Sequence, residues 1–186
     1  MKILLSIFFV LSFYTQTLSS EKEIIIKKLK LTNNFSFNFI QTIGEKNENG
    51  NCIIKYPKKI YCVYDSINKK ILVSNGKSLV IKNTKTSAYY RYPLKKTPLA
   101  LLLDKDYLLS KIHILEPRNI DNRYLNFRLI ENKNEINIFF DKQTFNLIGW
   151  QTEDIYQNLT ITFISSVKIN KEINENIFIL PKNDKL

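Results

Sequence analysis

Histidine is the residue type most often used for acid–base catalysis near neutral pH, and this chain has a single one, His113. Ser110 and Asp106 lie close to it in sequence, which leaves a secreted hydrolase as one interpretation. However, no G-x-S-x-G nucleophile elbow occurs, and His113 stands in a strand-like run, Lys111–Leu115. We therefore interpret His113 as an ordinary strand residue, and we predict that the protein has no catalytic residues and is not an enzyme.

Cys52 and Cys62 are the chain's only cysteines. They stand at the ends of CIIKYPKKIYC, which reads as strand, proline turn and strand, and both point to the same face as Ile54 and Ile60. In an exported chain they can form a cross-strand disulfide; the alternative is two small buried apolar side chains. This set is too small for a zinc site, and no phosphate-binding or dinucleotide-binding motif occurs. We therefore expect no metal and no cofactor.

The elements that position these residues are easiest to read in Lys69–Leu103, where Ser74-Asn75-Gly76-Lys77 joins two strands. Asn-Gly between two apolar runs predicts a hairpin with a type I′ turn, which needs positive φ at both central residues. An aromatic strand follows, and then a helix over Leu99–Leu103 that Thr97 can cap and Pro98 can begin. Because this helix is apolar on every side, it must be covered on both faces or close over something apolar.

Length and composition indicate one exported domain. The 186 residues are 44% hydrophobic and 12% aromatic, which excludes a disordered chain. Residues 1–20 combine an early lysine with an apolar run too short to span a bilayer, and predict a cleaved signal peptide, with an uncleaved anchor as the alternative. Residues 21–186 would form the single mature domain. The net charge of +11 indicates a solvated lysine-rich surface or attraction to anionic partners, but export argues against nucleic acid.

Before the cysteines, the chain predicts one helix and one strand with an apolar face. EKEIIIKKLKL favours a helix over Glu21–Leu31, with Ile25 and Leu29 on its apolar side. The next segment, Phe35-Ser-Phe-Asn-Phe39, alternates apolar and polar residues as a half-buried strand does. Gly44 to Gly50 reads as a polar turn.

After Leu103, the segment Asp104–Arg123 reads as a short helix around Tyr107–Leu109 followed by the strand around His113. Hairpins then resume, with predicted strands at Tyr124–Ile130, Ile136–Phe140, Leu147–Glu153 and Leu159–Ile169.

Together these elements predict a mainly β fold, in which one strongly curved antiparallel sheet forms an incomplete barrel and short helices cover an apolar cavity. Such a cavity fits an acyl chain. Its predicted lining residues are Phe35, Phe37, Phe39, Ile54, Tyr56, Ile60, Leu79 and Ile81. The predicted lid residues are Ile25, Leu29, Pro98, Leu99, Leu102 and Leu103.

Several segments, in order, resemble the periplasmic outer-membrane lipoprotein carrier (LolA) family over essentially the whole mature chain. They are Phe39-x-Gln41, Pro57, Ile71–Lys77, Arg91–Leu99, Leu101–Leu103, Phe140-Asp141, Leu147–Asp154 and Phe178. The resemblance implies an incomplete β-barrel whose helical lid covers an apolar cavity. It also implies a periplasmic chaperone that accepts acylated lipoproteins from an inner-membrane ABC transporter and delivers them to the outer membrane. Such a chaperone needs no catalytic group.

The partners expected from the resemblance are acylated lipoproteins, the lipoprotein-releasing transporter and an outer-membrane acceptor, with the carrier itself a monomer. The alternative is a periplasmic lipid-binding or envelope-sensing module of the same fold. Two positions depart from the family. Tyr56 stands where relatives commonly have an arginine that helps to hold the lid shut, and it would offer the lid one hydrogen bond. Cys62 stands where many relatives have a cavity-lining tryptophan.

Overall fold

In the computed structural model, which describes residues 20–65, 69–153 and 158–183, one antiparallel sheet of eleven strands curves around the core. The strand order is β6-β5-β4-β3-β2-β1-β11-β10-β9-β8-β7, so β6 and β7 are the two edges and the barrel is not closed. The predicted mainly β fold is confirmed. The signal-peptide prediction lies outside the described residues, apart from Ser20.

Three α-helices of the described residues accompany the sheet. The helices are α1 (Glu21–Leu31), α2 (Leu99–Leu103) and α3 (Lys105–Ile114). The strands are β1 (Asn34–Ile43), β2 (Lys46–Lys55), β3 (Lys59–Tyr64), β4 (Lys70–Asn75), β5 (Ser78–Asn83), β6 (Tyr89–Pro93), β7 (Arg118–Ile120), β8 (Tyr124–Glu131), β9 (Asn134–Asp141), β10 (Leu147–Glu153) and β11 (Leu159–Ile169). Within the described ranges, no helix is both long and apolar enough to cross a membrane.

Helix α1 has the predicted bounds because both its ends are specified locally. The Ser20 hydroxyl accepts from the Glu23 N–H while the Glu23 carboxylate accepts from the Ser20 N–H, which forms a capping box. Ile25 and Leu29, one turn apart, are buried against the core.

The predicted polar turn from Gly44 to Gly50 is wrong, because β2 begins at Lys46. The segment KNENGN carries no apolar alternation, yet its backbone pairs with β1 down to Lys46 opposite Ile43. Gly50 marks the close packing here, since a Cβ at this position would lie 2.1 Å from the Val63 carbonyl oxygen.

The Asn-Gly hairpin exists, but its turn is shifted by one residue from the predicted arrangement. Asn75 ends β4, and Gly76 has φ +94° while Lys77 keeps a negative φ. The loop is therefore Gly76-Lys77, with glycine at the first position as a type II′ turn requires. The Asn75 side-chain oxygen accepts from the Lys77 and Ser78 amides.

The segment around His113 is helical, so the predicted strand Lys111–Leu115 is wrong. Asp104 caps α3 by accepting from the Tyr107 amide, and Leu108 and Ile112 are buried four residues apart. The alternation of Ile112 and Ile114 resembles a strand, but only Ile112 faces the core, and Ile114 is 69% exposed. His113 is exposed on the outer side of this helix.

The C-terminal segment covers part of the outer face of the sheet. A 3-10 turn at Glu175–Phe178 places Phe178 over β3 and β4, where Val73 and its partner Val80 are also buried. The Glu175 carboxylate pairs with the ammonium groups of Lys55 and Lys59. This small second core lies on the opposite face of the sheet from α2.

Candidate apolar ligand site

The inner face of the sheet and α2 form one continuous apolar core. Leu102 and Leu103 are fully buried, and they belong to the same buried cluster as seven of the predicted lining residues, which lie on β1, β2, β3 and β5 and in the β2–β3 turn. Those are Phe35, Phe37, Phe39, Ile54, Tyr56, Ile60 and Leu79. Side chains of the helix therefore fill the space in which an open cavity was expected. Ile81 is half-buried and lies outside this core.

Helix α2 covers the predicted residues Leu99–Leu103, but Pro98 is not its first residue. Pro98 precedes the helix with helical φ and ψ, and Leu99 is its first residue, half-buried at the edge of the core. Thr97 does not cap the helix, since its hydroxyl donates to the Leu94 carbonyl of the preceding 3-10 turn.

Open space remains beside α1, in a cleft of about 320 Å³. This volume is at the lower end of the range of about 300–1,000 Å³ that ligand pockets occupy. The cleft is lined by Ile25, Lys28, Leu29, Leu31, Thr32, Phe35, Tyr56, Phe140, Phe145, Asn146, Leu147, Ile164, Val167 and Ile169. Four of the predicted residues are thus brought together here: Ile25, Leu29, Phe35 and Tyr56.

One wall of the cleft is apolar and open to solvent. Leu31 is 65% exposed, Val167 43% and Ile169 55%. Apolar side chains normally avoid such exposure when it is contiguous, and a contiguous patch beside a cleft is typical of a binding site.

A bulge in β11 places Val167 and Ile169 in this wall. Phe39 pairs with Ile164 and Phe35 with Ile169, so the register shifts by one residue between them, where Ser166 has φ +53°. The shift brings the odd-numbered residues after the bulge onto the inner face. The Ser165-Ser166 pair, which interrupts an apolar alternation, is the sequence signal that would have located this bulge.

Two lysines fix α1 above the cleft. Lys28 donates from Nζ to the Thr144 carbonyl at 2.6 Å and to Asn146 Oδ1 at 2.8 Å, at the turn between β9 and β10. Lys105 donates to the carbonyls of Lys30 and Thr32, each at 2.8 Å, and so satisfies the C-terminal end of α1.

The Tyr56 hydroxyl is buried and has no hydrogen-bond partner in the described part of the chain. Burial alone raises the pKa of this phenol above its ordinary value. The predicted hydrogen bond from Tyr56 to a lid carbonyl is therefore wrong.

Lys58, which the sequence did not single out, makes the contact expected of Tyr56. Its backbone N–H donates to the Leu103 carbonyl at 2.8 Å, and its Nζ lies 2.8 Å from Asp104 Oδ2. The Ser74 hydroxyl donates to the Lys58 carbonyl at 3.0 Å and so positions this residue, which has φ +65°. The C-terminal end of α2 is thus joined to the turn between β2 and β3.

Cys52 and Cys62 form a disulfide between directly paired positions of β2 and β3. Both are buried in the core beside Ile54 and Ile60, on the predicted face. The disulfide therefore lies in the wall of the sheet that α2 covers.

Nothing in the described ranges assembles His113 with Ser110 and Asp106 for catalysis. The Ser110 hydroxyl donates to the Tyr107 carbonyl at 2.7 Å, within its own helix. Nor do the described residues contain three His, Cys, Asp or Glu side chains grouped to hold a metal ion. What the site offers is an apolar surface beside α1 that is partly open to solvent.

The chain was compared with solved structures and with families of known proteins. The chain resembles an uncharacterized conserved protein from Thermus thermophilus, at 8% identity and a TM-score of 0.51, over 88% of this chain and 94% of that one. A LolA superfamily protein from Nitrosomonas europaea matches 90% of this chain and 100% of its own at 11% identity and a TM-score of 0.48. The Pseudomonas aeruginosa MucA/MucB structure matches 87% of this chain and 60% of its own, at 8% identity and a TM-score of 0.45. At 8% identity the Thermus thermophilus structure shows the fold alone, and no curated sequence matches.

The family comparison goes further than the fold. The family model described as outer membrane lipoprotein carrier protein LolA matches residues 30–180. This range begins in α1 and ends after Phe178. It includes the open apolar wall of the cleft, the lid helix α2 and Lys58, whereas Ile25, Lys28 and Leu29 of the cleft precede it. The chain belongs to the LolA family of outer membrane lipoprotein carrier proteins.

Proposed function

We propose that this protein is a periplasmic chaperone that binds the acyl chains of lipoproteins and carries them from an inner-membrane ABC transporter to the outer membrane. The observation that carries the proposal is the open apolar wall of Leu31, Val167 and Ile169 beside a cleft that continues into the core. Membership of the lipoprotein carrier family supports the identity of the cargo.

The physical need for such a carrier is large. Each buried CH₂ of a lipid anchor contributes about 0.8 kcal/mol, so one chain of roughly 16 carbons resists entering water by on the order of 12 kcal/mol. A protein that transports it needs an apolar surface to replace the membrane, and it needs no catalytic group.

Loading requires α2 to leave the sheet. Leu102 and Leu103 are fully buried in the same core as the inner-face residues of the sheet, so an acyl chain that extends from the cleft into this core must displace them. We infer that the structure is the closed, unloaded form, and that the bonds from Lys58 to Leu103 and Asp104 hold it closed. The transporter and an outer-membrane acceptor would be the partners that open it.

The same cleft would serve the alternative, a periplasmic module that binds free lipid or senses envelope stress. The distinction is the cargo: an acylated protein for the carrier, and a phospholipid for the module.

A release assay on spheroplasts tests the proposal. We expect the purified mature protein to release acylated lipoproteins from spheroplasts into the medium, and we expect I169E to lose this activity because it places a charge in the open wall. I40E is the matched control, since Ile40 is equally exposed (58%) but lies on the opposite face of β1 from Phe39. Release of phospholipid alone would favour the lipid-binding module, and equal loss of release in both variants would contradict the proposed site.

The periplasmic location is tested by the N-terminus of the mature protein. We expect protein recovered from the periplasm to begin close to Glu21, because residues 1–20 have the pattern of a cleaved signal peptide. Recovery in the membrane fraction with Met1 retained would favour the anchor instead.

A further inference from the structure

A second cleft, of about 380 Å³, lies on the other side of α2 from the apolar cleft. It is enclosed by the turn at Lys58, the β4–β5 loop, the segment after β6, the start of α3 and the β8–β9 turn. Its lining residues are Lys58, Gly76, Lys77, Pro93, Leu94, Lys95, Ala100, Leu101, Asp104, Tyr107, Glu131, Asn132 and Asn134. Apolar residues, three lysines and two carboxylates thus surround the same space.

The charges around this second cleft are not balanced. Two carboxylates line the cleft. Asp104 is already engaged by Lys58 at 2.8 Å and caps α3, whereas Glu131 forms no ion pair in the described ranges. Lys77 and Lys95 are exposed, and no carboxylate in the described ranges forms an ion pair with either of them. Two unpaired ammonium groups against one unpaired carboxylate leave an excess of positive charge beside Leu94 and Leu101, which favours an occupant that is both apolar and anionic.

The edge strand β6 runs directly into this cleft. The Asn83 amide donates to the Ala88 carbonyl and the Leu94 amide to the Lys77 carbonyl, each at 2.9 Å. Because paired and unpaired positions alternate in an antiparallel ladder, the backbone groups of Tyr89 and Arg91 face away from the sheet. Pro93 then ends the row of donors where the cleft begins.

We propose that β6 and the second cleft together dock an extended, acidic segment of a partner protein. The segment would pair its backbone with Tyr89 and Arg91 as an added strand, in the manner of other peptides that bind sheet edges. Its carboxylates would contact Lys77 and Lys95, and an apolar side chain would lie on Leu94 and Leu101. A peptide fits better than a membrane because the lysines border a concave cleft with an open strand edge.

Docking at this position would also act on the lid. A carboxylate in the cleft competes with Asp104 for Lys58 and so weakens the contact that joins α2 to the β2–β3 turn. This consequence rests on the proposed function, whereas the docking itself does not.

The probe is a fluorescein-labelled (Val-Glu)4 peptide, with (Val-Gln)4 as the uncharged comparison, measured by fluorescence anisotropy on the mature protein. We expect K77E/K95E to bind the acidic peptide about tenfold more weakly, as for the reversal of two partly exposed charges. The double variant K27E/K30E has the same change in net charge on the exposed face of α1 and should bind as wild type does. Thermal melting would show that both variants are folded.

Equal weakening in both double variants would overturn the proposal, because it would reduce the effect to net charge. The proposal would also be overturned if (Val-Gln)4 bound as tightly as the acidic peptide. If K77E/K95E instead loses binding to phosphatidylglycerol vesicles while peptide binding is unchanged, the cleft contacts an anionic membrane and not a protein segment.

Hydrogen exchange separates this inference from the proposed function. We expect saturating (Val-Glu)4 to accelerate amide exchange in Leu101–Leu103. Peptide binding without acceleration would overturn the effect on the lid. Peptide binding by a protein that releases no lipoprotein from spheroplasts would overturn the carrier and leave the docking surface in place.

Discussion

Lys58 and Asp104 form an ion pair of 2.8 Å that joins the β2–β3 turn to the residue between α2 and α3. The adjacent backbone bond from the Lys58 N–H to the Leu103 carbonyl has the same length. These two contacts hold the last turn of the lid helix against the sheet, whereas the rest of that helix is held by apolar packing. The ion pair is therefore the charged component of lid closure.

Removing this ion pair should loosen the lid without unfolding the protein. We expect K58M to lose only about 0.2–1 kcal/mol of stability, because both side chains are partly exposed. Amide exchange in Leu101–Leu103 should nevertheless become faster. K22M, which removes a similarly short ion pair with Glu116, is the matched control. Unchanged exchange in K58M, or equal acceleration in K22M, would contradict the role given to Lys58.

Removing the Tyr56 hydroxyl should stabilise the closed form. An unsatisfied buried hydroxyl costs about 1–3 kcal/mol, so we expect Y56F to raise the free energy of unfolding by about 1 kcal/mol in urea titrations. Tyr64 is the control, because its hydroxyl donates to Gln41 Oε1 at 3.3 Å and Y64F loses that bond. Destabilisation of Y56F would mean that this hydroxyl has an acceptor in solution.

The disulfide should contribute measurably to stability. For a loop with a separation of 10 residues, chain entropy predicts about 2–3 kcal/mol. We expect dithiothreitol to lower the urea midpoint of the wild type by the corresponding amount. The midpoint of C52A/C62A should not respond to the reductant, and a response there would show that another effect of the reductant is being measured.

The C-terminal segment should detach from the outer face at acidic pH. Hydrogen bonds from Lys55 and then Lys59 lower the pKa of Glu175 from its ordinary value of 4.5. Because the pKa of Glu175 is lower in the folded protein than in the unfolded chain, its ionised carboxylate stabilises the folded state. This stabilisation is complete above about pH 4.5, and it is lost as the pH falls through the pKa of the folded state. We expect the exchange protection of Ile177–Ile179 to decrease in that acidic range, after correction for intrinsic rates.

E175Q provides the control for this pH dependence. The variant cannot form either ion pair, so its C-terminal protection should be lower at neutral pH and should lose the acid-dependent step. If acid reduced the exchange protection of Ile177–Ile179 in E175Q as much as in the wild type, the pH dependence would arise from other carboxylates.

Local signals in the sequence were sufficient for most elements of the fold. Ser20 and Glu23 specify the start of α1, and the alternation of Phe35, Phe37 and Phe39 specifies the inner face of β1. Both depend on neighbours within a few residues, so they can be read without knowledge of the fold.

The candidate site was harder to predict because it depends on contacts between distant residues. Lys58 and Asp104 meet only when α2 packs on the β2–β3 turn, and no local pattern relates them. Val167 and Ile169 enter the cleft only because the bulge at Ser166 reverses the alternation of β11. Alternation alone therefore indicated that Phe35 lies on the inner face, beside the cleft, but it did not indicate the open wall.

For the lid helix, too, one feature could be predicted from the local sequence and another depended on distant contacts. Its apolar composition correctly required burial on both faces, and Leu102 and Leu103 are fully buried. The sequence could not show that these leucines themselves fill the expected cavity, since that depends on how far the sheet curves.

Photo-cross-linking in the periplasm tests the central claim most directly. Benzoylphenylalanine would replace Ile169 in the apolar wall or, as the matched control, Ile40 on the outer face, and products would be identified by mass spectrometry. We predict cross-links to acylated lipoproteins from position 169 and none from position 40. Cross-links from both positions, or only to phospholipid from position 169, would contradict the assignment of this cleft as the site that carries lipoproteins.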